Sequence, residues 1–305
     1  MSQTILVIGG TGMLGEPVAR RLRSDGFAVR ILSRDLSRAQ VRFGPDFTVV
    51  AGDVHDRASL LRAIEGCYGV HINLRAHAER LDFAHVEAEG AANVATAAAQ
   101  AGVQRISYLS DAYVTDAGNP MPHLRAKYQA EEAIRWSGIA FSIFCPSFFM
   151  ENLPEVIQGS RVVLAGRLAH AAHWVAAEDY ARMVSRAFQM RDAADKRFVI
   201  YGPEHLALRE AMARYCAVIC PETHVRTLPM SIARLSCAFS ADHSRRYALR
   251  ALRYYEHLEE QSDPTEADHL LGKPTLTLDQ WCRTQLTLSH IEMASPVTFR
   301  SYIGS

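Results

Sequence analysis

Short apolar runs alternate with longer amphipathic segments through the first half of the chain. Six runs rich in branched and aromatic residues predict strands, at 5–8, 27–32, 47–50, 69–72, 106–109 and 141–144. Segments with helical spacing lie between several of these runs, at 16–24, 57–65, 78–100 and 122–137. Such alternation is typical of a parallel sheet that helices cover on both faces. The pattern therefore predicts an α/β fold with a doubly wound parallel sheet of the Rossmann type.

The alternation weakens after Pro146, where several prolines break the chain into shorter pieces. Helices are predicted at 177–190, 206–218 and 279–288, and a strand is predicted at 196–201. We therefore divide the chain into a dinucleotide-binding domain at 1–150 and a smaller α/β substrate lobe at 151–305. The lobe is expected to pack on the first domain rather than to fold independently.

Composition narrows the class of protein. The 305 residues include 33 Lys and Arg against 33 Asp and Glu, so no net charge favours nucleic acid or an anionic membrane. No apolar run approaches the roughly 20 residues that span a bilayer. The first residues lead straight into a strand, and the six cysteines are scattered, as expected for reduced thiols. We expect a cytoplasmic protein with a small-molecule substrate and no nucleic-acid or membrane partner.

The 13 histidines raise the question of a metal site. His170 and His173 lie three residues apart, but no Cys or acidic residue stands at ligand spacing, so no metal is predicted. Arginines at 245, 246, 250 and 253 form a basic strip at helical spacing. We interpret the strip as a solvated helix face.

A glycine-rich loop follows the first predicted strand and opens the first predicted helix. It satisfies G-x-G-x-x-G at 10–15 and G-x-x-G-x-x-G at 9–15. Glycine permits a tight turn and lets the backbone approach a pyrophosphate, which the helix N-terminus attracts. The loop therefore predicts dinucleotide binding, with contacts from Gly9, Thr11, Gly12, Met13, Leu14 and Gly15.

The end of the second strand distinguishes between the two nicotinamide cofactors. Ser33 stands where an acidic residue would bind the ribose of NAD, and Arg34 follows it. An arginine suits the 2′-phosphate of NADP, so Arg34, with help from Arg38, favours NADP while leaving NAD possible. The alternative is a solvated basic loop. After the third strand, Asp53 and its neighbour Val54 are expected at the adenine, although Asp53 could also cap the next helix.

Several segments together resemble the NmrA-like branch of the atypical short-chain dehydrogenase/reductase superfamily. They are VIGGTG at 7–12, SR at 33–34, GD at 52–53, GVQR at 102–105, SGI at 137–139, PSFFMEN at 146–152, VAAEDYA at 175–181 and LGKP at 271–274. The resemblance implies a Rossmann-type domain with a small C-terminal substrate lobe and NAD(P) in the cleft between them.

The resemblance also implies three catalytic positions. Related reductases carry a serine after the fifth strand and Tyr-x-x-x-Lys on the next helix. Ser110 and Lys127 match the serine and the lysine, whereas His123 stands in place of the tyrosine. An imidazole titrates near neutrality and can replace the tyrosine as a proton donor. The alternatives are a strand-end cap for Ser110, a surface pair of Lys127 with Glu131, and an ordinary first-turn residue for His123.

The remaining implied contacts lie at the carboxyl ends of the fourth and sixth strands. Asn73 and Leu74 are expected beside the cofactor, as are Lys127, Pro146 and Phe148, whereas Phe149, Met150 and Asn152 are expected to wall the substrate pocket. Core packing is the other interpretation of the apolar members of this set, and the two roles are compatible.

The sequence therefore predicts an NADPH-dependent reductase of a small, largely apolar carbonyl, quinone or enone-like compound. The alternative is a non-catalytic protein that senses NADP(H) or serves as an accessory subunit, since the tyrosine is missing. A homodimer or a regulatory protein partner is compatible with either hypothesis.

Overall fold

The computed structural model describes residues 2–76, 80–157, 159–166, 170–238 and 243–294. The strands of these segments are β1 (Thr4–Ile8), β2 (Ala28–Ser33), β3 (Thr48–Ala51), β4 (Gly69–Ile72), β5 (Arg105–Leu109), β6 (Ala140–Pro146), β7 (Phe148–Phe149), β8 (Arg161–Ala165), β9 (Ala171–Val175), β10 (Lys196–Ile200), β11 (Glu204–Ala207) and β12 (His224–Leu228). The helices are α1 (Gly15–Ser24), α2 (Leu36–Phe43), α3 (Arg57–Ile64), α4 (Gly90–Gln100), α5 (Pro122–Trp136), α6 (Ala177–Gln189), α7 (Leu208–Ile219), α8 (Met230–Ala238), α9 (His243–Tyr255), α10 (Thr265–Ala267) and α11 (Leu278–Ala294). A π-helix (Ala84–Glu89) runs directly into α4. No helix in these segments is long and apolar enough to cross a membrane.

Seven parallel strands form the central sheet, in the order β3-β2-β1-β4-β5-β6-β10. The order reverses between β1 and β4, and in open α/β sheets ligands bind at such a reversal, beyond the carboxyl ends of the strands. The prediction of a doubly wound, Rossmann-type sheet is confirmed. The six strands predicted in the first half are all present, each shifted by two residues or fewer at its ends.

The apolar face of helix α1 packs it against α6 in the core beside the central sheet. Val18, Ala19 and Leu22 are fully buried, at the spacing of one helix face, and their core includes Val184 and Ala187 of α6. Burying a side chain the size of Val or Leu contributes roughly 1.5–3 kcal/mol to stability. This packing fixes the N-terminus of α1, and with it the glycine loop, against the sheet.

The second half adds two small sheets. One has the order β11-β9-β7, with β9 antiparallel to β11, and the other pairs β12 with β8. Strand β10 lies after the expected domain boundary at residue 150 and nevertheless pairs with β6 at the edge of the central sheet. The helix predicted from residue 206 begins at Leu208, because residues 206 and 207 pair with β9.

Helix α2 is absent from the sequence-based prediction. Asp35 caps it by accepting a hydrogen bond from the Arg38 backbone N–H at 3.0 Å. Only Ala39 and Phe43 of this short helix are buried. Two buried positions give too weak a periodic signal to reveal a helix in a polar segment.

Glu151 joins three elements of the second half. Its Oε1 accepts hydrogen bonds from the backbone N–H of Ala177 at 3.0 Å and from the Trp281 indole at 2.9 Å. The other carboxyl oxygen is buried without a partner. Burial raises the pKa of Glu151 to about 7, despite the hydrogen bonds that favour the charged form.

We expect the Glu151→Gln variant to lose one component of the pH dependence of stability. The pKa is raised from 4.5 to about 7 on folding, so the unfolded state loses its proton first as pH rises. Between these two pH values the wild type should lose about 1–3 kcal/mol relative to the variant, whose amide keeps the acceptor oxygen. Urea unfolding of both proteins at pH 5 and pH 8 tests this. An equal change in the two proteins would contradict it.

Candidate functional site

The glycine loop between β1 and α1 is a tight backbone turn. Gly9 has a φ of 74°, and a Cβ there would lie 1.9 Å from the backbone oxygen of Asn73. A Cβ on Gly15 would lie 2.1 Å from the Gly9 oxygen, so both positions require glycine. A Cβ on Gly12 would lie 3.2 Å from the Gly9 oxygen and would meet no other described atom within 4 Å. The outer side of Gly12 is therefore open. Leu14, the N-cap of α1, makes no side-chain capping bond. The helix N-terminus beyond Gly12 can therefore receive an anion.

The turn after β2 presents two cationic side chains. Ser33 is buried, and its hydroxyl is hydrogen-bonded to the backbone of Asp35, so it holds the turn in place. Arg34 and Arg38 are exposed. Among the described residues, neither guanidinium has a hydrogen bond or an ion pair, so both can meet a 2′-phosphate.

The residues after β3 and β4 lie at the same edge of the sheet as the glycine loop. Asp53 accepts a hydrogen bond from the His55 N–H at 2.9 Å, whereas Asp56 caps α3. The alternative that Asp53 caps this helix is therefore wrong. The backbone N–H of Asn73 donates to the backbone oxygen of Ile8 at 3.1 Å, and Ile8 immediately precedes the glycine loop. Val54 and Leu74 pack against Gly90, the first residue of α4. A Cβ on Gly90 would lie 3.2 Å from the Val54 side chain and 2.9 Å from the Leu74 side chain.

Ser110 follows β5 but its hydroxyl is already engaged. It is 3% exposed and donates a short hydrogen bond to Glu131. Glu131 in turn accepts from Arg197 at 3.1 Å. The geometry gives Ser110 a role in holding this buried ion pair rather than in contacting a substrate. It also excludes the surface pair of Glu131 with Lys127, because Glu131 is buried and its ion-pair partners are Arg197 and Arg135.

Lys127 projects from α5 to the end of β5 and has a different carboxylate as its partner. Its Nζ donates to the backbone oxygen of Leu109 at 3.2 Å and lies 3.4 Å from Oε2 of Glu87. The Lys127 side chain is 14% exposed and that of Glu87 is 3% exposed. Glu87 belongs to the π-helix, a distortion that is frequent at functional sites.

His123 lies one turn before Lys127 on α5 and contacts two tyrosines of the C-terminal half. Its Nε2 is 2.7 Å from the Tyr255 hydroxyl, and its Nδ1 is 2.6 Å from the Tyr247 hydroxyl. Burial, with a smaller effect of Lys127, lowers the pKa of His123 to about 4. The expectation that this imidazole titrates near neutrality is therefore wrong. A neutral ring donates at one nitrogen and accepts at the other, so His123 connects the two hydroxyls.

The apolar residues at the end of β6 divide between the protein core and a partly exposed aromatic cluster. Phe149 and Met150 are 5% and 0% exposed and belong to separate hydrophobic cores, so core packing is correct for both. Asn152 lies in the short helical turn that follows, partly exposed. Phe148, two residues after Pro146, is partly exposed, and its ring lies 5.2 Å from Tyr255 and 5.7 Å from Tyr113. The three rings contact one another, and Tyr255 also contacts His123, so this aromatic cluster is the candidate contact surface for a substrate.

The arginine strip on α9 does more than face solvent. Arg246, Arg250 and Arg253 line a cavity of about 320 Å³ together with Pro120 and Met121. Arg250 donates to the backbone oxygen of Pro120 at 2.8 Å. One side of the cavity is α9, the helix that also carries Tyr247 and Tyr255, and the arginines make its lining cationic.

Sequence reasoning missed Tyr247, Tyr255 and Glu87. The signal for the tyrosines was present, because Tyr247, Ala251, Tyr254, Tyr255 and Leu258 repeat at the spacing of one helix face. Their contact with a histidine more than 120 residues away has no local signature. Glu87 falls within the predicted helix 78–100, where nothing distinguishes it from a surface carboxylate.

Comparison with known proteins places these features in a family. The model of the NmrA-like family matches residues 1–235. A (4-alkanoyl-5-oxo-2,5-dihydrofuran-3-yl)methyl phosphate reductase from Streptomyces griseus subsp. griseus is 31% identical over 233 residues, which cover 75% of this chain and 79% of that protein. An NAD(P)H azoreductase from Xenophilus azovorans is 25% identical over 220 residues, covering 70% of this chain and 73% of that protein.

A solved structure supports the same fold. Triphenylmethane reductase from Citrobacter sp., complexed with NADP(H), superposes with a TM-score of 0.72 at 18% identity. The match covers 92% of this chain and 99% of that chain. With the sheet order, the glycine loop and the family match in agreement, this chain belongs to the NmrA-like family.

Proposed function

We propose that this protein is an NADPH-dependent reductase of a small, largely apolar carbonyl, quinone or enone-like compound. The observation that carries the proposal is the line of hydrogen bonds from Tyr247 through His123 to Tyr255, one helical turn from Lys127. This arrangement supplies a tyrosine hydroxyl even though the expected tyrosine position holds a histidine. The names of the related reductases support the general class of reaction.

The residues at the edge of the sheet fit an NADP-type dinucleotide. The open side of Gly12 and the uncapped start of α1 would hold the pyrophosphate. Arg34 and Arg38 would hold the 2′-phosphate, and Lys127 would hold the nicotinamide ribose. When bound, NADPH supplies the hydride that the substrate accepts.

The proton comes from the protein in this proposal. Tyr255 keeps its proton at neutral pH, because burial, with a smaller effect of Asp111, raises the pKa of its hydroxyl. The Tyr255 hydroxyl would give that proton to the oxygen of the reduced substrate. His123 would replace it from Nε2 while Nδ1 takes a proton from Tyr247. Tyr247 is partly exposed, so its hydroxyl would regain a proton from solvent. Tyr255 is favoured as the donor because its ring packs against Phe148, whereas the Tyr247 ring packs against Phe83.

The substrate class follows from the wall of the site and from one relative. The aromatic rings of Tyr113, Phe148 and Tyr255 suit a flat, apolar compound. The relative that is 31% identical acts, by its name, on a phosphate ester of an acylated dihydrofuranone. The cationic cavity beside α9 would suit such a phosphate, so substrates with and without this group belong in the assay.

The test is NADPH oxidation by the purified protein across quinones, aldehydes and acyl dihydrofuranones, the last with and without a phosphate ester. Turnover with at least one class supports the reductase. Tight NADPH binding without oxidation of any compound would favour the alternative, a protein that senses NADP(H) or supports a partner.

Arg34 and Arg38 give a separate prediction about cofactor preference. Replacing both with serine should raise the Kd for NADPH about 10- to 100-fold, because two charge-assisted contacts to the 2′-phosphate are lost. The Kd for NADH should change little. Fluorescence titration of each nucleotide measures this, with Arg57→Ser as a control, since Arg57 bonds to Gln100 on the adjacent helix. Equal weakening of NADPH and NADH would contradict the assignment.

A further inference from the structure

His173 and His205 face each other across two paired strands. They are direct register partners in the antiparallel pair of β9 with β11, and their rings lie 4.7 Å apart. The ring of Tyr201 stacks on His173 at 4.8 Å with an interplanar angle of 7°. Strand pairing therefore fixes the spacing of the two imidazoles without help from a loop.

Glu260 completes the cluster from the segment that follows α9. Its Oε2 lies 2.5 Å from Nδ1 of His173 and 3.6 Å from Nε2 of His205. The other oxygen accepts hydrogen bonds from the His173 backbone N–H at 3.0 Å and from the Tyr113 hydroxyl at 3.3 Å. These two donors orient the carboxylate so that Oε2 faces both imidazoles.

The charge of Glu260 has no permanent counterion in the described part of the chain. Its side chain is 5% exposed, and its ion-pair partners there are the two histidines. A buried carboxylate is costly unless a cation accompanies it. The two imidazoles offer nitrogen lone pairs, and a metal ion bound by all three side chains would supply the positive charge.

We propose that His173, His205 and Glu260 bind a divalent transition-metal ion of the Zn²⁺ type, through Nδ1, Nε2 and Oε2 respectively. Two imidazoles and one carboxylate are a known donor set for zinc with an open fourth position. The three ligand atoms lie within 4.8 Å of one another. Tetrahedral zinc needs ligand atoms about 3.4 Å apart, so the His173–Glu260 contact must open by about 1 Å. His205 is 52% exposed, which leaves a path to solvent.

The prediction that no metal binds rested on His170 and His173, which have no acidic residue at ligand spacing. His170 is not the partner of His173, and the missing acidic ligand is Glu260, 87 residues away. A bound ion would tie the segment after Tyr255 to β9 and β11. It would therefore stabilise the fold, whether or not the protein turns over a substrate.

Zinc titration of the full-length, tag-free and chelator-treated protein tests the site. We expect one ion per chain with a Kd of about 10 µM or lower, and a Tm higher by about 5 °C at saturating zinc. His173→Ala and Glu260→Gln should each raise the Kd at least about 10-fold and abolish the rise in Tm. Circular dichroism without zinc establishes that the variants fold.

The exposed cluster of His55, His85 and Glu89 provides the matched control. It also consists of two histidines and one glutamate, but each is exposed, and among the described residues no buried donor orients its carboxylate. His85→Ala should leave the high-affinity binding unchanged. Absence of binding at about 100 µM zinc, or binding that is lost in His85→Ala and retained in Glu260→Gln, would overturn the proposal.

Discussion

Replacing Tyr255 with phenylalanine should lower kcat for NADPH-dependent reduction by about 100- to 1,000-fold, the usual contribution of a positioned proton donor. The variant keeps the ring that packs at 5.2 Å from Phe148 and removes only the hydroxyl. The KM and the Kd for NADPH should therefore change little. Steady-state kinetics with a substrate from the reductase assay measures the separation of kcat from KM.

The neighbouring tyrosine serves as the control. Tyr254 accepts a hydrogen bond from the Asn119 amide at 2.9 Å and does not contact His123 by hydrogen bonding. Tyr254→Phe should retain kcat within about threefold of the wild type. Equal loss of kcat in the two variants would indicate a general disturbance of α9, and unchanged kcat in Tyr255→Phe would remove the hydroxyl from the mechanism.

The pH profile separates Tyr255 from His123 as the proton donor. The pKa of His123 is about 4, so the ring is neutral throughout the range from pH 6 to pH 8. If the hydroxyl donates the proton, kcat should be nearly constant over that range. A rate that falls as pH rises through about 6 to 6.5 would contradict this and point to a group that titrates there, such as Asp111, whose pKa burial raises to about 6.

Loss of Lys127 should cost both activity and stability. Lys127→Met leaves the Glu87 carboxylate, which is 3% exposed, without its cation. Removing one partner of a buried ion pair typically costs about 3–5 kcal/mol of unfolding free energy. We also expect kcat/KM to fall more than about 100-fold, because the proposed contact with the nicotinamide ribose is lost. Urea unfolding and NADPH oxidation measure the two effects.

The double variant Lys127→Met with Glu87→Gln separates these effects. The glutamine keeps an oxygen that can accept from the Ala76 backbone N–H, as Glu87 does at 3.0 Å. Most of the stability should return, because no buried charge remains unpaired. Activity should not return. Recovery of activity in the double variant would show that Lys127 acts only as the counterion of Glu87.

An exposed lysine gives the baseline for this comparison. Lys196 pairs with Glu266, and the two side chains are 30% and 54% exposed. Lys196→Met should change the free energy of unfolding by less than about 1 kcal/mol and leave kcat/KM unchanged. A large effect at this position would mean that any lysine loss disturbs the protein.

The central sheet could be predicted because its strands carry continuous apolar runs. The run at 69–72 is buried at every position and is β4 without a shift in either end. In contrast, β8 alternates between exposed and buried residues and pairs with β12, more than 50 residues later. Its pairing depends on β12, which is distant in the sequence, so the local pattern of residues does not reveal it.

In the candidate site, too, features set by local sequence could be predicted, whereas contacts with distant residues could not. The glycine loop was predictable because the backbone conformation at Gly9 and the close contact at Gly15 restrict the residue type at each position. The partners of His123 were not, since they come from α9 and lie at 247 and 255. Ser110 was matched at its position, but its hydrogen bond to Glu131 depends on where α5 lies relative to the end of β5.

Titration of NADPH into the wild-type protein, followed by nicotinamide fluorescence, tests the central claim most directly. The account predicts one site per chain with a Kd of about 10 µM or lower, and weaker binding of NADH. Absence of binding for both nucleotides at about 1 mM would contradict the assignment of the glycine loop and every catalytic role derived from it.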